Sequence, residues 1–158
     1  MDRRALMTAG AAALAAAATV PMPARAASNQ NIVGSWLGTI TAVAPPLGQF
    51  NDLISFHPGG VVTESRRYLI PATPLGPLLE TTGHGAWEQR SHNGFEVFFR
   101  FLLQDANTGA PVGTDNIRLW LTLERGVLQG TFESQVKNTA DAVLLTVTGN
   151  YAATPITV

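Results

Sequence analysis

The chain has no cysteine and little charge: 13% of its 158 residues are Asp, Glu, Lys or Arg. Without a thiol there is no disulfide, no thiolate metal site and no cysteine nucleophile. The basic residues number 10 against 11 acidic ones. No basic face is available to neutralise phosphates, which argues against a nucleic-acid partner. The only histidines are His57, His84 and His92, and no two have the tight spacing of a metal pair, so neither a metal site nor a cofactor is expected. There is no Gly-x-Ser-x-Gly, no glycine-rich phosphate loop and no His-Glu-x-x-His. Beyond residue 30, no window repeats its apolar residues at a helical period.

What is present begins with a leader. Met1-Asp2-Arg3-Arg4 is a short basic start, Ala5 to Val20 is an alanine-dominated apolar run, and Pro21-Met22-Pro23 breaks any helix. Ala24-Arg25-Ala26 is a small-x-small cleavage site before Ala27. The run is too short, and too poor in Leu, Ile and Phe, for a stable membrane span. Arg3-Arg4 followed by Ala5, Leu6 and Met7 resembles a twin-arginine signal, which exports folded proteins. The expected division is therefore a signal peptide over 1–26 and one exported domain over 27–158, periplasmic or extracellular. The leader takes Arg3, Arg4, Arg25 and Asp2 with it. The domain keeps 7 basic and 10 acidic residues, a net charge of −3. It must hold together by packing and backbone hydrogen bonds alone.

β-Branched and aromatic runs separated by Gly, Pro and Asn predict eight strands, at about 32–43, 50–56, 61–70, 84–91, 95–104, 116–124, 127–137 and 142–152. Most gaps suit hairpins, so consecutive strands should be neighbours. Eight strands in simple order suit an up-and-down antiparallel barrel, which removes its own edges. A two-sheet β-sandwich is the alternative.

Two hairpins fix faces. Arg125-Gly126 reads as a two-residue turn, pairing Glu124 with Val127 and, further out, Leu121 with Gly130, Leu119 with Phe132 and Arg118 with Glu133. One face is then apolar and the other polar, as a half-buried pair requires. Asn93-Gly94 is the strongest short hairpin signal. As a two-residue turn it pairs His92 with Phe95 and Ala86 with Phe101, and it carries His84, Glu88 and Arg90 to the inward face of Phe95, Val97, Phe99, Phe101 and Leu103. A three-residue turn reverses that face, putting Trp87 inside and the three polar residues outside.

Gly34-Ser35-Trp36 opens the first strand, Gly85-Ala86-Trp87 the fourth, and Phe56-His57-Pro58-Gly59-Gly60-Val61 lies between them. This pattern resembles the lipocalin-like, or calycin, β-barrels. The resemblance implies an eight-stranded barrel whose first-strand Trp closes one end, with a small apolar ligand inside. Thr114-Asp115 falls where lipocalins often carry Thr-Asp-Tyr, although Asn116 follows here, and no arginine after Lys137 can pack on the first Trp. Locally, Gly126 to Ser134 with Asn138, then Thr148-Gly149-Asn150-Tyr151, looks like the early strands of avidin and streptavidin. On that match Phe132, Ser134 and Asn138 fall on biotin-contacting positions. Phe132 replaces a tyrosine and the segment lies at the wrong end of the chain, so the likeness is read as convergence between barrels.

The expected site is an interior cavity lined by Phe99, Phe101, Leu119, Leu121 and Phe132, anchored by His84, Glu88 and Arg90. Gly130 and Ala86, small residues on the inward face, are read as leaving room. Three functions fit: a binder of a small, largely apolar molecule, which is preferred; a barrel enzyme of isomerase or cyclase type with a buried acid–base pair; or a structural module with a filled barrel. On the outer face Phe98 and Leu102 call for cover, from the loop Pro71–Pro77 or a second copy of the chain.

Overall fold

The computed structural model describes residues 31–67, 69–70 and 76–157; the leader lies outside the described residues. Period-2 alternation dictates the architecture, and the described residues form strands and no helix. These are β1 (Gly34–Ala44), β2 (Gly48–His57), β3 (Val61–Arg66), β4 (Leu69–Ile70), β5 (Leu78–Glu80), β6 (Gly83–Gln89), β7 (Gly94–Asp105), β8 (Pro111–Glu124), β9 (Val127–Asn138) and β10 (Val143–Pro155). The antiparallel order β7-β6-β3-β2-β1-β10-β9-β8 closes because β8 also pairs with β7, from Gly94↔Thr122 to Gln104↔Pro111. Closure makes an eight-stranded barrel and rules out the sandwich.

The two short strands continue two staves of that ring. β5 lies on β7 beyond the end of β6, and β4 pairs with β5 as β3 pairs with β6. The expected strand 61–70 is therefore β3 plus β4, and the expected fourth strand begins earlier, at Leu78. Both staves are interrupted at the same level. Between Glu64↔Gly83 and Leu69↔Leu79 no backbone pairing joins them among the described residues. Thr81 turns to β7 instead: its N–H donates to the Leu102 carbonyl and its hydroxyl accepts from the Leu102 N–H, both at 3.1 Å.

The β8–β9 hairpin has the register read from the sequence, Glu124↔Val127 through Leu119↔Phe132 to Arg118↔Glu133. Arg125 (φ 51°) and Gly126 (φ 79°) are both left-handed, as a two-residue type I′ turn requires. Arg118 faces Glu133 but its guanidinium bonds Glu96 on the other side, at 3.0 Å.

The Asn93-Gly94 reading needs correction. Gln89, not His92, pairs with Phe95. Ser91 closes the loop by accepting the Gly94 N–H at 3.0 Å, the Gly94 carbonyl accepts from Arg90 N–H at 2.8 Å, and Asn93 gives its carbonyl to Leu123 N–H of β8 at 2.8 Å. The parity is that of the longer turn. Trp87 packs inward, edge-on to Phe56 and Phe95 at 6.1 Å, so a half-buried indole faces the core instead of three polar side chains.

The interior divides along its axis. Toward the end where β1 begins it is apolar, with Trp36, Phe56, Val62, Phe95, Val97, Leu121, Leu123, Leu128 and Ala153 buried together. Trp36 donates its indole N–H to the Ile32 carbonyl at 2.9 Å, and Ile32 is itself fully buried. From mid-barrel toward the other end, Asp52, Glu64, Glu80, Asp115 and Ser134 are buried as well. The small residues do not leave room as expected. Ala86 points outward opposite Phe98, and a Cβ on Gly130 would stand 1.9 Å from the Trp120 carbonyl oxygen. Gly130 thus permits close approach of β8 and β9.

Candidate functional site

The expected apolar lining is inside: Phe99, Phe101, Leu119, Leu121 and Phe132 are all buried in the central core. The expected anchors are not. His84, Glu88 and Arg90 are exposed on the outer face, because the β6–β7 register has the opposite parity. Glu88 and Arg90 do form an ion pair, at 2.5 Å, but as part of a solvated chain through Glu96 to Arg118. Phe98 and Leu102 are exposed at 37% and 57%, with the Arg118 guanidinium 6.0 Å from the Phe98 ring. Residues 71–75 of the loop expected to cover them lie outside the described residues.

In place of those anchors the barrel encloses a different polar cluster. Alternation on β3 puts Val62, Glu64 and Arg66 on one face, and on β2 it puts Asp52 with Ile54 and Phe56. Arg66 forks onto Glu80, Nε to Oε2 at 2.8 Å and Nη2 to Oε1 at 2.5 Å, and Nη2 also reaches Asp115 Oδ2 at 2.7 Å. The fork bridges β3 and β5 where the backbone pairing fails. The guanidinium lies over Phe101, 4.3 Å from the ring centroid, and Ser134 Oγ donates to Asp115 Oδ1 at 2.6 Å. Burial opposes the Arg66 charge, but Glu80, Asp115 and Glu64 together hold its pKa above the ordinary arginine value. Burial also raises Glu80, against the pull of Arg66.

Asp52 and Glu64 form the second half of the cluster. Gly38 lies opposite Asp52; a Cβ there would stand 1.9 Å from Asp52 Oδ1 and 2.4 Å from the Tyr151 hydroxyl. The bare glycine lets that hydroxyl donate to Asp52 Oδ1, at 3.4 Å. Among the described residues, Asp52 Oδ2 and both Glu64 oxygens find no donor when the two acids are ionised. Two such charges in a low-dielectric interior cannot both persist, so they share a proton. Burial, reinforced by Asp52 and Glu80, pushes Glu64 up to about 9, despite Arg66 nearby. Burial raises Asp52 to about 6, restrained by a hydrogen bond from Glu64 and by Arg66. Tyr151 is pushed above its ordinary range by burial and by both acids. At neutral pH Glu64 is therefore a neutral carboxylic acid, 1% exposed, donating to an ionised Asp52.

His57 and His92 are exposed, as their loops implied; His57 Nε2 lies 3.3 Å from Thr63 Oγ1. Of the avidin-like positions, Phe132 and Ser134 face inward, with Ser134 committed to Asp115, and Asn138 ends β9. Among the described residues no group of three or more His, Asp or Glu side chains could hold a metal ion, and no helix is long and apolar enough to cross a membrane. No protein-family model matches the chain, no curated protein matches it, and no solved structure matches it. The functional reading therefore rests on this chain's own geometry.

Proposed function

We propose that this is an exported, lipocalin-like barrel that binds a small, largely apolar molecule in its interior. One observation carries the reading. The closed barrel buries an acid pair, Asp52 and Glu64, and among the described residues nothing but the proton the two share satisfies Asp52 Oδ2 and the Glu64 carboxyl. Burying an unpaired polar group costs several kcal/mol, and a barrel filled only for stability gains nothing from it. An apolar enclosure with a few convergent polar groups is the usual form of a small-molecule site. Titration with an environment-sensitive apolar dye should give saturable binding, weakened when Phe101 or Leu121 is enlarged to Trp. Absence of binding would return the barrel to the structural-module reading.

The acid pair favours a second reading, a barrel enzyme of isomerase or cyclase type. A carboxyl that keeps its proton at neutral pH in a site closed to water can protonate a bound carbonyl or ether oxygen. The export half of the proposal rests on Arg3-Arg4 and Ala24-Arg25-Ala26. N-terminal sequencing of secreted material should begin at Ala27; an intact Met1 on cytoplasmic protein would refute it. Lys at both positions 3 and 4 should block a twin-arginine route and spare a general one.

A further inference from the structure

The charge of the domain is unevenly placed. Outside the barrel stand six acids (Glu88, Glu96, Asp105, Glu124, Glu133, Asp141) and six bases, Arg67, Arg90, Arg100, Arg118, Arg125 and Lys137. They balance. Inside stand Asp52, Glu64, Glu80 and Asp115 against Arg66 alone. The formal charge of −3 carried by residues 27–158 is thus entirely interior. Arg66 is committed to Glu80 and Asp115, and Ser134 completes Asp115. The atoms left over are all acceptors when ionised: Asp52 Oδ2 and the two Glu64 oxygens.

We propose that the polar half of the barrel is built for a primary organic ammonium, its nitrogen between Asp52 and Glu64 and its apolar body among the interior aromatic and aliphatic side chains. The inference rests on the interior-binding reading and names its ligand class. An ammonium supplies both things the cluster lacks, N–H donors and positive charge. A carboxylate or phosphate ligand would meet the uncompensated negative charge of the cluster and no free donor. A quaternary ammonium would bring charge without donors and leave the acceptors unmet. The balance is explicit: R–NH3⁺ binds, the Glu64 carboxyl releases its proton to the buffer, and both acids stay ionised around the cation.

Calorimetric titration of the secreted protein with n-octylamine, n-octyltrimethylammonium, 1-octanol and octanoate tests this. The primary amine should bind about tenfold or more tighter than octanol, which corresponds to one decade of Kd. Octanoate should not bind. Repeating the amine titration in two buffers of different ionisation enthalpy should reveal release of about one proton near pH 7. In Glu64→Gln, which leaves Asp52 as the single anion beside the nitrogen, the amine's advantage over octanol should shrink and its proton release should disappear. Wild-type protein gives an arm free of mutation: amine affinity should rise from pH 5.5 to 8.5 as Glu64 ionises more readily beside the cation, while octanol affinity stays level. The groups facing Glu64 in that titration are Asp52, Arg66, Glu80 and Tyr151. Equal or tighter binding of octanoate, or an amine preference and proton release both unchanged in Glu64→Gln, overturns the ammonium site alone. Failure of all four probes overturns the interior-binding reading with it.

Discussion

Arg66→Met is expected to destabilise the protein by about 3–5 kcal/mol, the usual cost of removing one partner from a buried ion pair. Glu80 and Asp115 would be left inside the barrel without the cation they share, Asp115 keeping its bond from Ser134. The same change removes the cation from the face of Phe101 and the side-chain bridge across the gap between β3 and β5. Domains of this size are stable by about 5–15 kcal/mol, so the variant should melt far lower and populate unfolded chain near room temperature. The loss should shrink at pH 5, where the stranded carboxyls take up protons at less cost. Replacing Arg66, Glu80 and Asp115 together by apolar residues of similar volume should restore much of the stability, because the desolvation cost goes with the charges. Thermal unfolding followed by circular dichroism measures all three. A loss under about 1 kcal/mol, the scale of an exposed pair, would mean that water reaches the cluster.

Stability should fall as pH rises from 5 to 8, the reverse of a protein held by ionised carboxylates. Glu64 is raised in the folded state, from an ordinary 4.5 to about 9. Between those values the folded protein holds a proton that the unfolded chain has released, so folding weakens as protons become scarcer. Its contribution is whole below about 4.5 and is lost as pH climbs toward 9. One proton corresponds to about 1.4 kcal/mol per pH unit, or about 4 kcal/mol across this range. Asp52, raised to about 6, adds to the slope at its acid end, and Glu80 acts in the same sense. Asp105, lowered by its hydrogen bonds to Thr108 and Asn107, acts with opposite sign only at more acid pH. Glu64→Gln should flatten the dependence and melt above wild type at pH 8. A wild-type melting temperature that stays level or rises from pH 5 to 8 would contradict this assignment.

The barrel was legible because its strands obey simple rules. Leu119, Leu121 and Leu123 alternate with Arg118, Trp120 and Thr122, and Arg125-Gly126 has the one turn geometry that fixes their register. The site was less so. Asn93-Gly94 suggests a two-residue turn, which would carry His84, Glu88 and Arg90 inward. Here Ser91 and β8 take up the loop's hydrogen bonds and shift the parity. The true interior acids had a quieter signal: each sits in step with an apolar face, Asp52 with Ile54 and Phe56, Glu64 with Val62, and Asp115 with Ile117 and Leu119. An acidic residue in phase with the core side of a strand is the pattern to read. Its partner Arg66 lies on another strand, 49 residues from Asp115, and only closure of the barrel brings the two together.

The central claim is that the barrel interior keeps an acid protonated at neutral pH, poised for a ligand. Carbon-13 NMR of the Glu64 side-chain carboxyl, followed from pH 4 to 10, tests it most directly. The account predicts a midpoint near 9 for Glu64, with Asp52 titrating near 6. A Glu64 midpoint at the ordinary value of 4.5 would show a solvated carboxylate and contradict it.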